Sequence, residues 1–226
     1  LLSTFEKLKG MYNKARTSDN TIYYVNDYQK HFPTLAIDIN CGQNNILSNF
    51  LKYKNIEYNN FNIDLSLDSI KGINGRSSIY QLRNGEMQLD TIRISLRQRE
   101  ERISYFAGVR TRSLNPQNPK LKFYAALLGS LKNDSLITRV LFRDNNDNVG
   151  ARFEMQTKLY PERVNIHFTP KATFFNKPFK FNDDNYIQIR KNLAIRTNLE
   201  LLDTLGAGIS LQSMDTTMLR DINAKL

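Results

Sequence analysis

The chain lacks most of what enzymes and metalloproteins are built from: no tryptophan, one cysteine and two histidines in 226 residues. A single cysteine, Cys41, makes an internal disulfide impossible and excludes a disulfide-stapled small secreted domain. His31 and His167 form no His-x-x-x-His pair and there is no Cys-x-x-Cys, so a His/Cys metal site has almost no ligands to use. His167 lies between Ile166 and Phe168 and reads as a solvated strand residue. No run approaches the roughly 20 apolar residues of a membrane span, and no signal-peptide pattern is present. The first residue is Leu, which suggests a piece of a longer parent.

Phosphate loops are missing too. Gly72-Ile-Asn-Gly75 and Gly206-Ala-Gly208 follow neither the P-loop nor the dinucleotide pattern and read as turn glycines. Asp183-Asp184 has no third carboxylate or histidine near it in sequence. Asp144-Asn-Asn-Asp-Asn148 superficially resembles a Ca²⁺ loop but lacks the Gly at its sixth position and the closing Glu, so a hairpin turn is expected. The expectation is therefore a protein that is not an enzyme and needs no cofactor and no metal.

What the chain has is alternation. In Leu89-Asp-Thr-Ile92-Arg-Ile94-Ser-Leu96-Arg, apolar and polar residues alternate; after Gln98-Arg-Glu-Glu101 the pattern resumes as Ile103, Tyr105, Ala107, Val109. A period of two puts one row of side chains on each face of a strand, so this stretch is an antiparallel hairpin with one apolar face. The same pattern recurs in Phe61/Ile63/Leu65, Val149/Ala151/Phe153/Met155, Val164/Ile166/Phe168 and Ile195/Leu199/Leu201. About ten strands with short polar turns and no helical crossover predict an antiparallel meander. Such a meander can pair as a sandwich, close as a barrel or curl into a half-open trough, and periodicity does not choose.

Around this core, residues 1–33 read as an N-terminal helical or cap segment. Leu1, Phe5, Leu8 and Tyr12 form an amphipathic stripe, Ile22 to Phe32 is ambiguous, and Pro33 ends it. Residues 34–215 read as the sheet domain, with a small helix at Ile46-Leu47 and Phe50-Leu51, a turn at Gly129 to Asp134 and an irregular stretch from Thr169 to Asn185. Residues 216–226 read as a C-terminal tail or helix. The composition, with 13 Phe, 11 Tyr and 40% hydrophobic residues, suits a strand-rich fold with a sizeable core.

The net charge is +10. Such an excess favours anionic partners, whether nucleic acid, a phospholipid or lipopolysaccharide surface, or an acidic protein. Arg93, Arg97, Arg99, Arg102, Arg110 and Arg112 cluster with Tyr105 and Phe106, a mixture that RNA-binding sheets use. Tyr105, however, shares the apolar row of Ile103, Ala107 and Val109, and the arginines occupy the other row. A basic, solvated outer face is the simpler reading, and no nucleic-acid partner is expected.

Several blocks carry a resemblance. Phe32-Pro-Thr-Leu35 is followed after a strand by Gly42-Gln-Asn-Asn-Ile-Leu47; Leu89-Asp-Thr-Ile92 lies between; Phe175-Asn-Lys-Pro-Phe179, Asn182-Asp-Asp-Asn-Tyr-Ile187, the strand Leu193 to Leu201 and Gly206-Ala-Gly-Ile-Ser-Leu211 close the series. Their order and spacing over residues 32–215 resemble the TamB-like proteins (translocation and assembly module subunit, AsmA-like superfamily) of Bacteroidetes-type bacteria. The resemblance implies a mainly β fold, a long antiparallel meander curled into an apolar trough of β-taco type. It further implies a periplasmic location with a parent anchored in the inner membrane, phospholipid as ligand and an outer-membrane barrel of TamA type as possible partner.

These expectations combine into a lipid conduit between inner and outer membranes, whose groove is lined by Phe61, Ile63, Leu65, Ile92, Ile94, Leu96, Ile103, Tyr105, Val109, Val149, Phe153, Met155, Val164, Ile166, Phe168, Ile195, Leu199 and Leu201. The alternatives are a scaffold that templates outer-membrane protein strands by β-strand addition, and a basic nucleic-acid-binding sheet.

Overall fold

The computed structural model describes residues 25–85, 87–113, 122–213 and 223–225, together with Glu6 and Gly10. The predicted cap stripe Leu1/Phe5/Leu8/Tyr12 lies outside the described residues; Glu6 and Gly10 beside it are helical. Within the ambiguous stretch before Pro33, Val25–Gln29 forms a short helix, α1. The protein is mainly β, and the strands of the described residues make one sixteen-stranded antiparallel sheet.

The strands run in chain order: β1 (Leu35–Cys41), β2 (Ile56–Glu57), β3 (Asn60–Asp68), β4 (Gly72–Asn84), β5 (Met87–Arg99), β6 (Arg102–Ser113), β7 (Tyr124–Lys132), β8 (Ser135–Arg143), β9 (Val149–Leu159), β10 (Arg163–Phe168), β11 (Lys171–Phe174), β12 (Lys177–Phe181), β13 (Tyr186–Arg190), β14 (Ile195–Asp203), β15 (Gly208–Gln212) and β16 (Asn223–Lys225). Helix α2 (Ile46–Tyr53) sits between β1 and β2. Asn45 caps it: the side chain accepts from the Ser48 N–H at 2.9 Å and the Ser48 hydroxyl accepts from the Asn45 N–H at 2.8 Å, a reciprocal capping box.

There are more strand segments than alternation alone suggests, and register explains why. β2 and β3 pair with β4 in one continuous register, Ile56 opposite Asn84 and Asn60 opposite Tyr80, so together they form one long strand. β10 and β11 likewise both line β9, and β12 and β13 both line β14. Once these are joined, every strand pairs with its neighbour in sequence: the sheet is an uninterrupted meander.

The interruptions in the last two pairs fall beside each other and are held by one residue. Asn185 is 1% exposed. Its Oδ1 accepts from the Phe168 N–H at 2.7 Å, and its Nδ2 donates to the carbonyls of Phe168 at 2.8 Å and Asn182 at 2.6 Å. Its own carbonyl lies 2.7 Å from Nδ1 of His167. The Thr169 N–H donates to the Glu154 carbonyl, and the Asn182 Oδ1 accepts from the Glu200 N–H. Backbone groups released where strands bend must find partners, and this clasp supplies them across β9, β10, β13 and β14.

The structure corrects several expectations. Thr169 to Asn185 is not irregular: it holds β11 and β12, whose alternation is obscured by the extra residues at the bend. Gly129 is not in a turn but mid-strand in β7, and the chain reverses at Asn133-Asp134, where Asn133 takes φ 52°. The terminal segment 216–226, expected as a tail or helix, contains β16, paired with β15, so the sheet runs past residue 215. His167 is half-buried and bonded rather than simply solvated.

Replacing Asn185 with Ala leaves the Phe168 N–H and two carbonyls without partners and is expected to cost about 2–4 kcal/mol, read from the urea unfolding midpoint. Asn146→Ala, in an exposed turn, is expected to change it by less than about 0.5 kcal/mol.

Candidate functional site

In an antiparallel sheet, directly opposed residues share a face, so the strand register determines which side chains line up. One row runs Ile39, Ile63, Ser77, Ile94, Ala107, Leu127, Val140, Phe153 from β1 to β9. The next runs Ile37, Leu65, Gly75, Leu96, Tyr105, Gly129, Thr138, Met155, Phe168. A third runs Cys41, Phe61, Ile79, Ile92, Val109, Ala125, Phe142, Ala151, Phe174. Ile103, Val164 and Ile166 lie on the same face, followed by Ile195, Leu199 and Leu201 in β14. The expected site residues thus share one apolar face, with one exception. A register shift between Phe142 and Arg143 sets Val149 opposite Arg143, out of step with Ala151 and Phe153, because Gly150 is inserted there as a bulge.

Sequence reasoning missed part of this face. Leu127 and Leu131 were hidden because Tyr124-Ala-Ala-Leu-Leu128 is apolar at every position, which erases the period of two. Phe174, Phe179 and Phe181 were hidden by the bend beside Thr169-Pro170. Their rings continue the surface: Phe153 lies 5.6 Å from Phe174, and Phe168 stacks on Phe181 at 4.7 Å.

The face is apolar but not sealed. Ile94, in the middle of the first row, is 51% exposed, and Ile39 and Leu127 in the same row are also more than a third exposed. Most other members of the rows are half-buried. In a sandwich or closed barrel these inward rows would be the most buried residues of the molecule. Among the described residues the buried hydrophobic side chains are Tyr58, Ala126, Ala172, Phe181 and Ala194; Ala172 and Phe181 lie on this face, at its β11–β12 end, and none belongs to the three rows.

Polar atoms on this face are turned to internal use. Tyr105 crosses Gly129 to reach β8, its hydroxyl 2.6 Å from the Thr138 hydroxyl and donating to the Ile137 carbonyl at 3.1 Å. Gly129 is required there: a Cβ would stand 2.6 Å from the Tyr105 hydroxyl oxygen and even nearer the Ile137 carbonyl. Thr197 donates to the Tyr186 carbonyl at 3.2 Å. What such positions present outward is hydrocarbon.

The opposite face is polar and rich in arginine. Arg76, Arg93, Arg97 and Arg110 are exposed there, and Arg139 pairs with Glu154 across β8 and β9. Depressions open on this side, one of about 660 Å³ around Arg110, Lys122 and Arg143 and one of about 370 Å³ around Leu128, Arg139 and Arg152. The Tyr80 phenol is held below its ordinary value by hydrogen bonding with Ser78 and then Arg93, whose charge adds to the effect.

The Asp144 turn behaves as a turn. Its Oδ1 accepts from the N–H groups of Asn146 and Asn148, both at 2.9 Å. Desolvation pushes this carboxyl up, but the hydrogen bonds outweigh it and the net shift is downward. Among the described residues no group of three or more His, Cys, Asp or Glu side chains is arranged to hold a metal ion.

Tyr105→Phe strips the hydroxyl that Thr138 faces and is expected to lower unfolding free energy by about 1–2 kcal/mol, with the far-ultraviolet dichroism unchanged.

Comparison of the chain with models of known families, with curated proteins and with solved structures finds no match in any of the three.

Proposed function

We propose that this chain is a segment of a periplasmic lipid conduit, in which the meander curls so that its apolar face forms a groove shielding phospholipid acyl chains on their way between inner and outer membranes. The observation that carries this reading is the continuous yet unsealed apolar face: rows in register across nine strands, with Ile94 half exposed at the centre. Eight steps of about 4.8 Å give such a row a length of about 38 Å. One bilayer leaflet contributes about 15 Å of hydrocarbon, half of a core of about 30 Å, so a row accommodates two acyl chains end to end. Each CH₂ moved from water onto it gains about 0.8 kcal/mol. This task needs no catalytic group, cofactor or metal. The resemblance of the Phe32 to Leu35, Gly42 to Leu47 and Phe175 to Leu211 blocks to the TamB-like family supports the same reading, and with it an anchored parent and an outer-membrane barrel partner.

The strand-addition scaffold has one observation of its own. β1 pairs with β3 and with no other strand of the described residues, so its second edge presents backbone N–H and C=O groups to an incoming strand.

Ile94→Asp and Phe153→Asp put a charge where hydrocarbon is to lie, and each is expected to abolish co-purification of phospholipid, measured by mass spectrometry of a solvent extract. Arg97→Asp and Glu154→Lys, on the other face, are expected to retain it. Circular dichroism first confirms that all four variants are folded. Equal lipid loss in both pairs, or a wild-type chain that extracts no lipid, overturns the assignment.

A further inference from the structure

On the polar face, three register rows cross between β4 and β7. The outer rows read Tyr80, Thr91, Arg110 and Tyr124 on one side and Arg76, Ser95, Phe106 and Leu128 on the other, large at every position but Thr91 and Ser95. The row between them reads Ser78, Arg93, Gly108, Ala126, and apart from Arg93 it is small. Ser78 and Ala126 are buried at its two ends. Here a pit of about 220 Å³ opens, lined by Thr91, Arg93, Phe106, Gly108, Arg110 and Tyr124.

The details are those of a shaped recess and not of side chains that happen to be far apart. Phe106 leans over its own strand, so a Cβ on Gly108 would stand 2.6 Å from the tip of the ring, and a larger residue there would push the ring aside. The Arg110 guanidinium stacks 5.7 Å from the Tyr124 ring centroid, which holds it at the rim. Arg93 opposes Gly108 and Arg110 opposes Thr91, so the two arginines are diagonal neighbours, with Cα atoms about 7–8 Å apart. That spacing lets two guanidiniums close on one oxyanion from two sides. Among the described residues no carboxylate lines the pit, whereas on the same face Glu154 neutralises Arg139. A planar guanidinium fork matches phosphate oxygens better than any other side chain does.

We infer that the Arg93–Arg110 pit is a binding site for a single phosphoryl group, its oxygens gripped by the two guanidiniums and the atoms attached to it resting against Phe106 and Tyr124. A pit of this volume holds one such group and its immediate substituent, whereas a polynucleotide needs a continuous basic groove. The site is on the face opposite the apolar rows and does not depend on their carrying lipid.

The test uses the full chain and two probes, inorganic phosphate by titration calorimetry and phosphatidylglycerol vesicles by flotation, with zwitterionic phosphatidylcholine vesicles, whose headgroup has no net charge, as the reference. Arg93→Gln and Arg110→Gln are each expected to weaken binding at least tenfold. Arg163→Gln, which removes the same charge elsewhere on the polar face, is expected to change it less than twofold. Saturable phosphate binding with this pattern identifies a soluble phosphate or phosphoester as sufficient. Binding to phosphatidylglycerol vesicles alone, with the same pattern, identifies a lipid headgroup as the source. Binding to neither probe, or equal loss in Arg163→Gln, overturns the site. Ile94→Asp separates it from the conduit reading: phosphate affinity is expected to survive that substitution, and a loss as large as that of Arg93→Gln also overturns the site.

Discussion

Everything in this molecule depends on register. Because side chains alternate with period two, a slip of one residue between any two strands would send an apolar row to the polar face. Coherent pairing is what makes Ile39, Ile63, Ile94 and Leu127 one surface although they come from four strands far apart in sequence. The meander limits the risk, since each strand pairs with its sequence neighbour and tight turns fix most of the offsets. Glu100 at φ 53° and the Phe175-Asn176 pair at φ 52° and 63° are backbone conformations that such turns demand, even where the residue is not glycine.

Where register is broken, it is broken locally and compensated. The shifts at Asp90 and at Gly150 each cost one residue of alternation and leave the flanking rows aligned. The larger break beside Thr169-Pro170 spans two adjacent strands and is repaired by hydrogen bonds from one buried amide, that of Asn185. A buried asparagine with its side chain satisfied in this way sets the offset between neighbouring strands, because any other offset leaves donors and acceptors unpaired in a region closed to water.

The two faces divide the chemistry. One is hydrocarbon whose few polar atoms bond inward, as Tyr105 does to Thr138; the other is a field of arginines with Tyr80, Phe106 and Tyr124 among them. A single strand supplies both, residue by residue: in β5, Ile92, Ile94 and Leu96 face one way and Thr91, Arg93, Ser95 and Arg97 the other. A binding role for either face therefore places no constraint on the other. That independence is why the apolar rows and the arginine pit can be altered separately.

The alternation in Phe61 to Leu65, Leu89 to Val109 and Val164 to Phe168 was enough by itself to determine an antiparallel β protein, the hairpin at Glu100-Glu101 and which residues of each strand travel together, since a period of two is a local property. The i, i+4 spacing of Ile46-Leu47 and Phe50-Leu51 likewise marked α2, because that pattern lies within one short stretch. Only the tertiary structure decided the rest, because it depends on neighbours distant in sequence. Gly129 looks like a turn residue until Tyr105 is laid across it. Val149 looks like a member of its row until the Gly150 bulge shifts it. Thr169 to Asn185 looks irregular until Asn185 bridges the bend. The recess between Arg93 and Arg110 brings Thr91, Gly108, Phe106 and Tyr124 together with them from three strands, and no periodicity within a single strand encodes that coincidence.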